Sequence, residues 1–414
     1  MRVLILLGLS AFLGYLLSIF LFGGIEALFD QIPPTIEISP KIRFIGKSPQ
    51  VLRISVEDNF LLDKLTARLT QQGRVIKTQS FKLKGKKHQI EFTIDPQKDE
   101  LRQGAYNLKL LATDSSIRIN SASKELNFVV DFNRPRISII TRMHNVRKGG
   151  FELMFAQNLN DVSRHECVVV NEKFFFPALP AFKLGIKKNV KFSFFALPAR
   201  NLTSLYYQSV ARNFDPFNFK FPYLVLNLNL PKRFISPKTL GIVEEILNSF
   251  DRVNNKLLLP DCQPVEYEID CHLDSPFLQP VAASYYLPYG TVADDGLRNV
   301  LVQADIYWLG SAQADIYASQ SGLLELYQDK LLSLYHGCGF RTLVYPVSQL
   351  EVSVGSTVSK ASLIGKALKI HSEYVGLAYS LWGVPINNRE LQDSRWYSDH
   401  ILSKIKFVSE LAQE

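Results

Sequence analysis

The side chains best suited to hold a metal are seven histidines, His88, His144, His165, His272, His336, His371 and His400, and four cysteines, Cys167, Cys262, Cys271 and Cys338. A catalytic zinc takes three protein ligands and keeps one position open for water. The spacing supplies no such cage. No HxH or HExxH pair sets two imidazoles on one strand or helix face, and no CxxC pair starts a zinc ribbon. The best candidate for a displaced ligand is His371, with Asp305 close behind Gln303 as its partner. The other histidines stand alone, as structural histidines do. The cysteines read as structural or free, and Cys262 and Cys271, with Pro264 between them, suggest a small bridged loop.

Charge is a weak guide to partners, although a lysine cluster could attract anionic lipid or wall polymer. The formal net charge of +8 is spread thinly. Its densest cluster, at residues 82–87, reads as a hairpin around Gly85, a solvated turn that keeps an edge strand from pairing with neighbours. No basic run is interleaved with base-stacking aromatics, so nucleic acid is not an expected partner.

The elements that must position these residues form a mainly β chain. At 414 residues it is too long for one core, and two to four domains are expected. Residues 3–25 hold no charge, which matches the roughly 20 apolar residues of a membrane-spanning helix. Arg2 precedes the run and Glu26 follows it, so the expectation is an uncleaved signal anchor at 1–28 with the bulk of the chain exported. That places the protein as a single-pass protein of the cytoplasmic (inner) membrane, facing the periplasm or extracytoplasmic space. From 33 to 132, alternating segments at about ten-residue spacing predict an immunoglobulin-like β-sandwich. They fall at 35–39, 51–56, 65–70, 89–94, 106–112 and 125–130.

A second β-rich domain is expected over 133–232, with strands at 137–140, 151–155, 167–170, 174–176 and 190–197. Aromatic residues lie on both sides of its pleat, suiting a sandwich docked to a neighbour. Ser236 as N-cap, Pro237 at the first helical position and the spacing of Leu240, Val243, Ile246 and Leu247 predict a helix within a helical linker at 233–280. A C-terminal antiparallel-sheet domain at 281–390 and a C-terminal helix at 391–414 complete the reading. Val352, Val354, Val358, Ile364, Tyr379 and Leu381 suit alternate burial. Trp396, Ile401 and Ile405 give the last helix one apolar face.

Three blocks of this C-terminal domain resemble the M23 family, the LytM or lysostaphin-type endopeptidases. Gln303 to Tyr307, followed by Ile316-Tyr317-Ala318 and Gly322, follows the family's HxGxD and the strand and turn after it. Tyr335-His336-Gly337-Cys338-Gly339-Phe340, Leu343, Gly355, Val358, Lys360, Ile364 and Gly365 follow DHGxG and the glycine-spaced segment beyond. Gly376-Leu377 through Gly383-Val384-Pro385-Ile386 matches the strand after HLHF and its NGxPV turn. The resemblance covers about a quarter of the chain.

The resemblance implies zinc ligands at Gln303, Tyr307 and Gly376, and proton-transfer histidines at Pro346 and Tyr374. None of these five residues suits that chemistry. An amide or a neutral phenol binds zinc feebly, glycine has no side chain, and proline carries no exchangeable proton. His336 sits where the family also has a structural histidine. The segments 323–334 and 366–373 are shorter than the family's groove-walling loops.

The sequence therefore predicts a catalytically inactive, membrane-anchored M23-like protein with no metal, no cofactor and no catalytic residue. Its implied partners are envelope proteins, such as a cell-wall hydrolase or a division or transport complex, or peptidoglycan itself. The competing expectation is a zinc endopeptidase that cuts peptidoglycan cross-links with atypical ligands.

Overall fold

The structure, a computed structural model, describes residues 10, 12–15, 17, 30–160, 163–184, 186, 189–213, 215–228, 230–265, 271–272, 275–309, 313–368 and 373–411. It is mainly β. Two compact units form, one of residues 1–134 with 211–215, the other of 135–210 with 216–414. The anchor expected over 1–28 lies almost wholly outside the described residues, and among those described no helix is long and apolar enough to cross a membrane.

The first unit is built from two sheets over one core. Thr35–Ser39, Gln50–Glu57 and Lys87–Ile94 pair antiparallel as one of them. The other runs Phe44–Ile45, Ser121–Val130, Gly104–Asp114, Leu62–Gln71, Arg74–Lys82. Strict alternation drives the arrangement: Leu65, Ala67 and Leu69 point inward from one strand, and Leu52, Ile54 and Val56 from another. The Tyr106 hydroxyl donates to Arg102 O at 2.9 Å and accepts from Arg102 N at 2.8 Å, fixing the approach to its strand.

The lysine cluster at 82–87 is not a hairpin. Arg74–Lys82 pairs with Leu62–Gln71 in one sheet, whereas Lys87–Ile94 pairs with Gln50–Glu57 in the other, so the segment arches between sheets. Leu83 is buried beneath the arch, and its N–H donates to Asp63 O at 2.7 Å.

The second unit begins with two four-stranded sheets. One has the order Leu179–Pro180, Val190–Ala196, Phe151–Asn158, Ile137–Ile139; the other runs Phe174–Pro177, Ser163–Val170, Leu205–Ala211, Pro216–Phe219. An eight-stranded sheet follows. Its order is Ser284–Leu287, Asp305–Trp308, Tyr374–Leu381, Phe340–Tyr345, Leu331–Gly337, Gly322–Gln328, Thr357–Val358, with Val384–Ile386 on Tyr374–Leu381. Residues 323–334 are thus mostly two strands joined through Asp329 and Lys330, both at positive φ.

Burial in this sheet is not alternate. Every residue of Tyr374–Leu381 is buried, because both of its faces are covered, while Val352 and Val354 lie outside the strands, half-buried and exposed. On one face Phe340 meets Phe194 at 5.0 Å and Phe151 at 5.4 Å between ring centres, and Phe151 meets Trp396 at 4.8 Å. One hydrophobic cluster therefore runs from the 151–196 strands into the eight-stranded sheet and the C-terminal helices.

Those helices, Asn388–Gln392, Ser394–Tyr397 and Ser403–Leu411, carry charge into the same seam. Glu152, fully buried, takes Lys404 Nζ at 2.8 Å and His400 Nδ1 at 3.0 Å. His400 thus joins the seam, while Arg395 and Asp399 on the same stretch are exposed. Glu390 accepts from Phe151 N at 3.2 Å, and burial pushes its carboxyl up to about 7, opposed by the Phe151 hydrogen bond and by Arg147 and His400.

Cysteine pairing also departs from the small loop suggested by sequence. Cys167 pairs with Cys262 and Cys271 with Cys338, at Cα separations of 5.7 and 5.3 Å. Cys262 sits against Cys167 and Val169 of the β-domain, so each bridge ties distant segments. Peptide mapping without reduction should recover these two linkages; a Cys262–Cys271 peptide would contradict the pairing. Closing loops this long, each bridge should stabilise the chain by about 2–4 kcal/mol, so the Cys167→Ala/Cys262→Ala chain should melt earlier.

Glu390 gives the seam a pH dependence. An acid whose folded pKa lies above its unfolded value stabilises the fold at low pH and loses that contribution as pH rises from about 4.5 to about 7. Glu390→Gln should remove this slope and raise stability above pH 7 by about 3 kcal/mol. Denaturation midpoints against pH check it, and an unchanged slope would contradict it.

Candidate functional site

The helix Pro237–Leu257 decides what the sheet can do. Ser236 caps it, accepting from Thr239 N at 3.1 Å, and Pro237 starts it. It is more than a linker: its apolar stripe of Leu240, Val243, Ile246 and Phe250 lies on the face of the eight-stranded sheet formed by Leu287, Ile306, Leu343, Tyr374 and Ala378. The Tyr345 hydroxyl donates to Glu245 Oε1 at 2.7 Å and secures one edge of this contact.

Gly376 lies at the centre of the covered face. A Cβ there would collide with Ile246 Cγ2 and stand 3.1 Å from the Phe250 ring. Glycine is needed at this strand position because the helix approaches so closely. Tyr374, on the same face, is 8% exposed and packs its ring 4.7 Å from Tyr286. Burial raises its hydroxyl, as does the neighbouring Tyr286.

Tyr307 does not join them. It pairs with Val375, one residue out of phase with Gly376, so its side chain enters the opposite core. There it is fully buried, 4.7 Å from the Tyr285 ring, and burial drives its hydroxyl far up. The residue facing the helix beside Gly376 is Ile306. Pro346 follows the strand Phe340–Tyr345 through a cis peptide bond and is buried. Gln303 precedes the strand Asp305–Trp308 and lines a cleft of about 240 Å³ beside the helix. Of the five positions singled out by sequence, Tyr374 and Gly376 share a face, and Tyr307 is directed away from it.

Asp305 and His336 are held in hydrogen-bond networks of the fold. Asp305 has both carboxylate oxygens engaged, Oδ1 by Tyr289 N at 2.8 Å and Oδ2 by Asn388 Nδ2 at 2.9 Å. Burial raises its carboxyl. His371 lies outside the described residues. His336 is fully buried, with Nδ1 2.9 Å from Ser321 O and Nε2 2.7 Å from Thr342 Oγ1, and burial lowers it to about 4.

In the first unit, Asp30, Asp58 and Asp114 bring carboxylate oxygens within 4.8 Å of one another. Asp114 accepts from Ser116 N and Asn120 N, and Asp30 from Asn59 Nδ2, so these acids organise turns. Burial raises the Asp58 carboxyl, and the Asp114 and Asp30 charges add to the effect.

Sequence reasoning passed over Asn254. It continues the buried stripe of the helix, is 3% exposed, and lines the same cleft as Gln303. The signal was present: an amide stands where helical periodicity asks for an apolar residue.

No family model and no curated protein matches the chain. Among solved structures it is similar to a SpoIIQ–SpoIIIAH pore-forming complex at 16% identity, covering 32% of this chain and 98% of that one with a TM-score of 0.26. It is also similar to the catalytic domain of EnpA, a prophage-encoded M23 protein from Enterococcus faecalis, at 13% identity over 28% of this chain and 95% of that one, TM-score 0.24. Fibronectin(III)-like modules of Clostridium thermocellum CbhA align at 10% identity over 46% of this chain and 95% of theirs, TM-score 0.29.

If the helix dictates glycine at 376, Gly376→Ala should destabilise the chain by about 1–3 kcal/mol through overpacking. Ile246→Ala in the same chain should recover part of that loss, because it removes the methyl group that clashes. Chemical denaturation of the four chains of this cycle measures the coupling; strictly additive effects would contradict the packing.

Proposed function

We propose that this protein is a catalytically silent, M23-like envelope protein that serves as a scaffold or regulator for cell-wall machinery. The observation that carries the reading is the sealed surface at Gly376. A position that the resemblance would give to a zinc-binding imidazole lies under Ile246 and Phe250, with no room even for a methyl group. The chemistry of the neighbouring positions supports the same reading. Ile306 faces the helix where a ligand would be needed, and Tyr307 is directed to the other core. Neither an amide at 303 nor a buried phenol at 374 replaces a histidine in binding zinc or moving a proton.

The proposed setting is the extracytoplasmic face of a membrane, with the apolar run at 3–25 as the anchor. Two disulfides support it, since such bonds persist in oxidising compartments. Loss of the groove leaves the outer surface as the means of action. The proposed partners are accordingly other envelope proteins, such as a wall hydrolase or a division or transport complex.

Metal analysis and a wall-digestion assay on the purified full chain test this together. The expected outcome is substoichiometric zinc and no release of fragments from insoluble peptidoglycan. Stoichiometric zinc with turnover, both lost in His371→Ala, would overturn the reading in favour of a peptidase with atypical ligands.

A further inference from the structure

The cleft beside the long helix has the features of a small-molecule site. It has a volume of about 240 Å³, below the roughly 300–1,000 Å³ of drug-sized sites, so it suits a ligand the size of one or two amino acids. Phe250, Val300 and Pro385 give it apolar walls. Asn254 lines it, and neither its amide N–H nor its carbonyl finds a hydrogen-bond partner, though both atoms are buried. Native folds rarely leave both halves of a buried amide unmet, so this pair calls for a partner.

The unmet pair specifies its complement. One donor and one acceptor held in a plane match another amide, which returns one acceptor and one donor. Asp251 and Asn248 stand exposed at the rim, and Gln303 contributes a further amide. Glu244 is already neutralised by Arg298, at 3.0 Å. No cation pairs with Asp251 among the described residues, so its carboxylate is available to a ligand ammonium. One free carboxylate among neutral amides and apolar walls is a poor site for a divalent ion and a good one for an organic cation.

We propose that this cleft binds a small ligand carrying a primary ammonium next to a carboxamide, as in an amino-acid amide or the amino end of a peptide. The carboxamide pairs with the Asn254 side chain in the depth of the cleft, and the ammonium is held by Asp251 at the mouth. The apolar walls cover the carbon skeleton between them. This site goes beyond the scaffold reading and does not depend on it.

Calorimetric titration of the full chain in detergent with L-alaninamide tests the proposal. Saturable binding is expected, at least tenfold weaker for alanine, whose carboxylate cannot donate to Asn254 Oδ1. It should be several-fold weaker for N-acetyl-L-alaninamide, which lacks the ammonium. Asn254→Leu should abolish binding without lowering the melting temperature, since it removes an unsatisfied amide. Asp251→Asn should erase the preference for the free amine while leaving the fold intact. Absence of saturable alaninamide binding to the unaltered chain, or binding unmoved by both substitutions, would overturn the proposal.

Discussion

The strand Tyr374–Leu381 is buried on both faces, and the packing of the second unit depends on that. A strand at the middle of an antiparallel sheet often keeps one face for solvent or ligand. Here the helix Pro237–Leu257 takes one face and the aromatic cluster around Phe340 takes the other. The helix comes close enough that only glycine fits at 376. That face of the sheet is core. Reopening it would expose Ile246, Phe250, Leu343 and Ala378 to water, and hydrophobic burial opposes that.

The opposite face is fixed by a different balance. Phe151, Phe194, Phe340 and Trp396 join the β-domain, the large sheet and the C-terminal helices through ring contacts. Into the same seam the chain buries Glu152 with Lys404 and His400. Buried charges add little net stability when paired but are costly to separate, so such a network favours one docking geometry over others. Burial lowers Lys404 and Glu152 raises it, the expected opposition between desolvation and pairing. The two disulfides act on the same body, tying the segment after the helix back to the β-domain and to the strand Leu331–Gly337 and its turn.

Much of this was legible where the information is local. Period-two alternation located Gln50–Glu57, Leu62–Gln71 and Lys87–Ile94, and Ser236-Pro237 marked the helix start. Arg74–Lys82 escaped notice because its side chains are mostly exposed and show no alternation. The lysine arch was misread because turn chemistry does not say which sheet each flanking strand joins. Pairing of Cys262 with Cys167, and of Glu152 with His400, 248 residues away, is set by tertiary packing alone. The resemblance assigns Tyr307 and Gly376 to one ligand set. Register shows them on opposite faces, because a one-residue offset in a strand reverses every side chain. That Ile246 and Phe250 would cover Gly376 could not be read from their own periodicity, which shows an apolar stripe but not its partner.

Hydrogen–deuterium exchange on the full chain tests most directly whether the helix and the covered strand form one core. The account predicts that amides of Pro237–Leu257 and of Tyr374–Leu381 are among the slowest to exchange and lose protection together in denaturant. A helix that exchanges freely while the strand stays protected would mean that the face at Gly376 opens to solvent, and would contradict it.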